Sequence, residues 1–314
     1  MGKLLSKISR ELFIPLDDLV FLAHSAPYRY KVYEVRKKQP HKKRTIAQPA
    51  REVKRLQYWI ISELLKHFPI HPAATAYRQG KSILNNAKPH AKKRFLLKLD
   101  FKDFFHSIKV DDFRKFLEQE GSQTVDASDF DYLCRILFWN DKRTGDLILS
   151  IGAPSSPILS NILMHEFDVK VSEYCKSAAV TYTRYADDMT FSTNKPEILR
   201  SVVTNVEQIC TELPYPRLSL NTEKTVHASK ATSRRVTGLV LSNEGDVSIG
   251  HKRKREIRAA VHHFKIGKLN VIETAKLGGT LAFVKSVEPA YLRALKKHYG
   301  EAVINRLLKQ NTNQ

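Results

Sequence analysis

The chain has 314 residues, of which 42% are hydrophobic, and carries 53 Lys and Arg against 32 Asp and Glu, a formal charge of +21 at neutral pH. That length and apolar content suit a globular protein with a sizeable core, built as one multi-part body or two domains. The cation excess points to a polyanionic partner, nucleic acid first and an acidic membrane second; no run of about 18 apolar residues is present, which excludes a transmembrane helix, and Met1–Arg10 lacks the apolar stretch of a secretory signal.

Cys134, Cys175 and Cys210 stand far apart in otherwise apolar segments, which fits core packing in a reduced, cytoplasmic setting rather than zinc or disulfides. Residues 4–24 read as one or two short helices: Leu4, Leu5, Ile8 and Leu12 share a face, and Leu16, Leu19, Val20 and Leu22 follow Pro15. Gly2 and Ser6 fit a myristoylation pattern only superficially, and we read it as a chance match. Tyr28–Arg36 alternates as a strand, a basic turn follows, and Lys42-Lys43-Arg44-Thr45-Ile46 returns as a second strand. Its cations are either a solvated charge run or a phosphate grip, since a guanidinium holds two phosphate oxygens at once. A helix is predicted from Pro49 through Phe68, with Val53, Leu56, Ile60, Leu64 and Leu65 on its apolar face; Arg51, Lys54 and Arg55 lie off that face, against backbone phosphates or water.

Gly80–Leu84 leads into Asn86-Ala87-Lys88-Pro89-His90, and Phe95–Asp100 follows as a strand with Asp100 at its end. Residues 109–149 read as helix, polar linker over 121–128, and helix, with Tyr132, Leu133, Ile136 and Leu137 on a buried face. In Ile151-Gly152-Ala153-Pro154-Ser155-Ser156-Pro157, Ser156 is a suitable N-cap and Pro157 a suitable first helical residue. That helix is predicted to run to about Lys176, with Ile158, Ile162, Phe167 and Val171 packing. Thr181–Ser192 reads as two short strands meeting at a tight turn that carries Asp187 and Asp188. Pro196 opens an amphipathic helix, and Arg234–Ser242 is a strand pair. Residues 251–314 hold 14 Lys and Arg against 4 Asp and Glu, so nearly half the charge excess sits in the last fifth of the chain. His251–Phe264 is predicted helical, with Ile257, Val261 and Phe264 towards a core and Lys252, Arg253, Lys254, Arg255 and Arg258 around the rest; two further helices are predicted near 270–286 and 289–308.

Two adjacent carboxylates in one turn repel, which raises the pKa of one of them. The turn is either a polar hairpin with two solvated acids or a cation site; Mg²⁺ is held by one or two carboxylates together with substrate phosphates and water. Asp100, at the end of a second hydrophobic strand far away in sequence, favours a three-carboxylate, two-metal site.

Arg184-Tyr-Ala-Asp-Asp-Met189, Leu99-Asp-Phe-Lys-Asp-Phe-Phe105 and Gly152-Ala-Pro-Ser-Ser-Pro157 together resemble a reverse transcriptase. Asn86-Ala-Lys-Pro-His90 and Val236-Thr-Gly238 resemble its bacterial retron branch, and the likeness runs from about Arg29 to the C-terminus. The resemblance implies an α+β right-hand polymerase fold with fingers, a palm made of an antiparallel sheet backed by helices, and a helical thumb. Fingers and palm are expected over 1–248 and the basic thumb over 249–314. It implies RNA-directed DNA polymerisation with two Mg²⁺ ions, Mn²⁺ being a substitute, held by Asp100, Asp187, Asp188 and the Phe101 carbonyl. Arg44, with Lys43 second, is implied to contact the incoming triphosphate, and Gly152 to lie near that nucleotide. Phe105 matches the position whose bulk excludes a ribose 2′-hydroxyl, which disfavours an RNA-directed RNA polymerase; Phe104 reads as core. Lys224 resembles a basic residue that gives a proton to pyrophosphate, or is a surface lysine. Asn86 and His90 are implied to be structural or RNA-contacting, and Val236, Thr237 and Gly238 to belong to a primer grip where glycine admits close approach. Lys252, Arg253, Arg255 and Arg258 would run along the template–primer duplex, giving affinity with little sequence information. One departure stands out: most relatives carry Gln immediately before Gly152, where this chain has Ile151.

The implied partners are dNTPs, a folded non-coding RNA that is both template and primer, its DNA product, and an effector protein in anti-phage defence, with no membrane. Priming from an internal guanosine 2′-hydroxyl would give a branched RNA–DNA hybrid, msDNA. A group II intron-like or other defence reverse transcriptase keeps the same site, although no segment reads as a maturase or endonuclease. A non-enzymatic RNA-binding scaffold is disfavoured by the intact three Asp residues.

Overall fold

The computed structural model describes residues 2–36, 43–120 and 125–309. Lys42 of the predicted second strand and the 121–124 part of the predicted linker lie outside the described residues. In chain order the elements are α1 (Lys3–Leu12), α2 (Leu16–Ser25), β1 (Tyr30–Arg36), β2 (Lys43–Pro49), α3 (Arg51–Glu63), α4 (Ile83–Ala87), β3 (Phe95–Asp100), α5 (Phe104–Ser107), α6 (Val110–Glu120), α7 (Ala127–Leu137), β4 (Trp139–Asn140), β5 (Leu147–Ile148), α8 (Ser155–Leu163), α9 (His165–Ser177), β6 (Thr181–Tyr185), β7 (Asp188–Thr193), α10 (Ile198–Glu212), β8 (Val226–Ser229), β9 (Arg234–Val236), β10 (Leu239–Leu241), β11 (Val247–Ser248), α11 (His251–Lys265), α12 (Val271–Val287), α13 (Pro289–Tyr299) and α14 (Glu301–Lys309).

These elements form two compact units: Met1–Gly80 with Leu97–Phe191 and Lys195–Val226, and Lys81–Leu96 with Ser192–Asn194 and His227–Gln314. The predicted boundary at 249 therefore moves. Val236, Leu239 and Leu241 share one core with Ile257, Val261, Leu281 and Leu295, and Ala87, Ala91 and Leu96 join it. An apolar strand pair cannot leave the core its side chains fill, so 227–248 and 81–96 go with the helices that follow.

In the first unit, α1 and α2 form on either side of Pro15 and bury Leu5, Ile8, Leu19 and Leu22, as their spacing predicts. Asp129 accepts hydrogen bonds from the Leu4 and Leu5 amides at 2.8 and 3.4 Å, satisfying donors that open α1. β1 and β2 pair antiparallel from Tyr30↔Pro49 to Arg36↔Lys43. A four-stranded sheet has the order β6-β7-β3-β8; β7 is buried at nearly every position, the mark of a sheet covered on both faces. Helix α9 packs on β6 and α10 on α9.

Three predicted helices end differently. α3 stops at Glu63 and a 3₁₀ turn, Leu65–His67, completes the run. The 156–176 helix is two, because Met164 has ψ 3° and breaks the ladder; α8 begins at Ser155, and Ser156 lies inside it as a buried residue and not as its cap. The 289–308 helix is also two, because Gly300 at φ +98° ends α13. The β4–β5 hairpin was unpredicted, since two-residue strands show no alternation to read. Cys134 and Cys175 are buried and Cys210 partly so, all as free thiols.

Candidate active site

The acidic hairpin turns in two residues, Ala186 and Asp187, so β6 and β7 run antiparallel and Asp188 opens β7. Ala186 sits at φ +57°, a left-handed conformation uncommon for a residue with a Cβ and usually held by its surroundings. The holding group is Arg184, fully buried. Its Nε and Nη2 donate to Asp168 Oδ1 and Oδ2 at 2.8 and 2.6 Å, and its Nη1 donates to Asn161 Oδ1 at 3.2 Å and to the Ala186 carbonyl at 3.0 Å. Tyr182 donates its hydroxyl to Asp168 Oδ1 at 2.7 Å, and Asn161 Nδ2 donates to the Ala76 carbonyl at 2.9 Å. No motif flagged this network. The signal was there: Asp168, Val171 and Cys175 recur at helical spacing and are all buried, so an acid lies on an apolar face and needs a cation.

Asp100 ends β3, and the 219–221 segment pairs with it. Lys102 N–H donates to Ser219 O at 2.9 Å and Asn221 N–H to Asp100 O at 2.8 Å, flanking the antiparallel Phe101–Leu220 bridge. In such a pair the bridged residues' own groups point the other way, so the Phe101 carbonyl takes no part in it. A 3₁₀ turn, Thr222–Lys224, then brings Lys224 Nζ to 2.6 Å from Asp100 Oδ1. Burial raises the pKa of Asp100, the Lys224 hydrogen bond opposes this, and the charges of Asp187 and Asp188 push it up again. Burial first, and then the charge of Asp188, raise that of Asp187, against Lys224 and Arg44. Among the described residues no three His, Cys, Asp or Glu side chains are grouped to hold a metal ion. Asp100 takes the Lys224 ammonium as its counter-charge. By chemistry the donors still fit a hard divalent cation, since all are oxygens and two are destabilised as anions.

A cavity of about 730 Å³ is walled by Lys43, Arg44, Tyr77, Phe101, Phe105, Ile151, Asp187 and Lys224, together with Arg143, a residue no motif predicted. Phe105 stands 5.3 Å from the Phe104 ring and 6.4 Å from Tyr77, centroid to centroid, while Phe104 is buried and stacks on Phe101 at 5.6 Å. Lys43 pairs with Glu34 at 2.6 Å, both exposed. Gly152 has φ +128°, and a Cβ there would meet the Ala47 carbonyl at 3.0 Å; Ala47 N–H donates to Ile151 O at 3.0 Å. The Gly152 turn therefore packs backbone to backbone on β2, the strand that carries Arg44.

The remaining predicted residues lie in the second unit. Asn86, His90 and Val236 are fully buried, which fits the structural one of the two roles implied for Asn86 and His90 and leaves the Val236 side chain no exposed surface to offer a nucleic acid. His90 Nδ1 is 2.7 Å from Ser192 Oγ, and burial lowers its pKa to about 3, leaving the ring neutral. Thr237 and Gly238 turn the chain between β9 and β10 at φ +45° and +83°; Thr237 Oγ1 donates to Ile83 O at 3.3 Å, and Gly238 is exposed. Lys252, Arg253, Arg255 and Arg258 are exposed along α11, with Arg253 4.6 Å over the Phe283 ring.

The chain matches the family model for "Reverse transcriptase (RNA-dependent DNA polymerase)" over residues 35–241. It is 42% identical over 297 residues to the Retron Ec83 reverse transcriptase of Escherichia coli, covering 93% of this chain and 94% of that one. It is 34% identical over 310 residues to the Retron Ec86 reverse transcriptase of Escherichia coli, covering 96% and 92%, and 29% identical over 266 residues to the Retron Ec73 reverse transcriptase of the same species, covering 83% and 84%. Its mixed helix and sheet architecture is that of the reverse transcriptase polymerase fold. The chain belongs to the reverse transcriptases, the RNA-dependent DNA polymerases, and among them to the retron reverse transcriptases.

Proposed function

We propose that this RNA-directed DNA polymerase copies part of a cognate, folded non-coding RNA that is both its template and its primer, giving a branched msDNA. Two observations support the reading together: one cavity is walled by Asp187, Phe105, Arg44 and Lys224, and the chain is 42% identical to a retron reverse transcriptase over nearly its full length. Asp100, Asp187, Asp188 and the Phe101 carbonyl would hold two Mg²⁺ ions, or Mn²⁺ in their place. When bound, such ions acidify the primer hydroxyl and neutralise the triphosphate in an in-line displacement.

The protein's own part is positioning. Arg184 steadies the turn that carries Asp187. Arg44, with Lys43 beside it, grips the phosphates of the incoming nucleotide. The Phe105 ring fills the space a ribose 2′-hydroxyl would need. Lys224 gives a proton to the departing pyrophosphate. The exposed cations of α11 follow duplex phosphates, and the Thr237–Gly238 turn approaches the primer. An effector protein, a role in phage defence and a cytoplasmic location complete the reading. Among the described residues no helix is long and apolar enough to cross a membrane.

Co-expression with the structured RNA gene expected just upstream of its reading frame tests this, followed by a gel of DNA that survives RNase. A short, discrete DNA that retains an RNA branch is expected from wild type and not from Asp187→Asn. No such product, together with extension of an annealed primer on generic RNA, would leave a differently primed, intron-like reverse transcriptase instead.

A further inference from the structure

We propose that Arg143 is a further phosphate-binding residue of the nucleotide cavity, presented to it by Asp141. This rests on reading that cavity as the site of the incoming nucleotide.

Arg143 lies in the loop between β4 and β5, outside every motif that carries the family resemblance. The loop is braced. Asp141 N–H donates to Asp146 O at 3.0 Å, and the Thr144 and Gly145 amides donate to Asp141 O at 3.0 and 2.7 Å. Lys109 Nζ pairs with Asp146 Oδ2 at 2.7 Å. Beneath it, Trp139 and Ile148 share a small core with Ala47 of β2 and with Tyr30. The loop is therefore fixed to the same strand that carries Arg44.

On this platform the Asp141 side chain is 6% exposed and that of Arg143 is 64% exposed. The buried carboxylate takes one edge of the guanidinium: Nε donates to Oδ1 at 3.0 Å and Nη2 to Oδ2 at 2.6 Å, while the Arg143 amide donates to Oδ1 at 3.1 Å. The other edge, with Nη1 and the second Nη2 hydrogen, is not used by Asp141. Arg143 lines the same cavity as Asp187, Arg44 and Lys224. A guanidinium whose plane is set by a carboxylate loses little freedom when its open edge meets a second anion, and its fork matches two phosphate oxygens. The phosphate could belong to the nucleotide or to the template–primer backbone. Asp187 and Phe105 on the same walls favour the nucleotide.

The test is steady-state extension of an annealed DNA primer on RNA with one dNTP varied, for wild type, Arg143→Ala, Arg143→Lys and Asp141→Asn. Anisotropy gives the primer–template Kd of each, and thermal melts check that each is folded. Arg143→Ala should raise KM for the dNTP about tenfold, the loss of one charge-assisted hydrogen bond, with kcat and primer–template Kd unchanged. Arg143→Lys keeps the charge without the fork and should fall between. Asp141→Asn should raise KM by less than Arg143→Ala, because the guanidinium stays but is no longer held in plane. An unchanged KM in Arg143→Ala, a weaker primer–template Kd with KM unchanged, or a fall in kcat alone would each overturn the assignment. A folded wild type that makes no DNA from the annealed primer or from the co-expressed RNA would instead overturn the nucleotide-site reading beneath it.

Discussion

Asp168→Ala removes the counter-charge of Arg184 and the acceptor of the Tyr182 hydroxyl in one step. The side chains of Arg184 and Asp168 are both 0% exposed, so water cannot replace what is lost. The bonds from Nε, Nη2 and the Tyr182 hydroxyl, at 2.8, 2.6 and 2.7 Å, disappear together. Truncating one member of a buried ion pair costs about 3–5 kcal/mol, because the other charge is left in the core. The orphaned hydroxyl adds about 1 kcal/mol. Urea unfolding followed by far-UV circular dichroism at 25 °C should therefore show a loss of roughly 4–6 kcal/mol, a large part of the roughly 5–15 kcal/mol typical of a folded protein. A loss below about 2 kcal/mol would refute the estimate. The double variant Arg184→Met, Asp168→Leu separates stability from positioning. Apolar residues of similar volume replace a buried pair at little cost, so unfolding should return to within about 1–2 kcal/mol of wild type, the remainder being the Tyr182 hydroxyl that still lacks its acceptor. The Nη1 bond to the Ala186 carbonyl stays lost, so the turn under Asp187 loses its anchor and kcat should remain low. Full recovery of kcat alongside stability would refute the positioning role of Arg184.

Asp187 has a raised pKa, so between the ordinary carboxylate value and the raised one the folded protein binds more protons than the unfolded chain, and stability falls as pH rises through that window. In EDTA, Asp187→Asn should be more stable than wild type at pH 7, with the gap closing as pH falls through that window and gone below about 4; added Mg²⁺ should raise the melting temperature of wild type and leave that of the variant in place. Phe105→Ala should cut the preference for dNTP over rNTP about tenfold or more in primer extension, a change of about 1.4 kcal/mol in relative barrier, and an unchanged ratio would remove the ring from that role. Gly152→Ala puts a Cβ 3.0 Å from the Ala47 carbonyl at φ +128°; urea unfolding should show a loss of about 1–3 kcal/mol, with a higher dNTP KM as β2 and Arg44 shift.

Local pattern was enough for the elements that carry the acids. Alternation over Thr181–Ser192 and the apolar run Phe95–Asp100 marked the strands, and helical spacing marked α1, α2, α10 and α11, because a side chain's face depends only on its offset along its own element. The cation stripe of α11 and the paired Asp187 and Asp188 were legible for the same reason. Periodicity says nothing of a partner on another element. Lys224 and Asp100 are 124 residues apart in sequence and 2.6 Å apart in space. Arg184 finds Asp168 only because α9 packs on β6. Asn86 and His90, for which the sequence left a structural and an RNA-contacting role open, are both sealed inside the second unit. The breaks at Met164 and Gly300 interrupt an apolar period that runs straight through them. The residue types, the strands and the turn were thus determined by the sequence alone. Which carboxylate meets which cation, and which cations face the cavity, was decided by the packing of distant elements, because charge neutralisation and burial depend on distance in space and not along the chain.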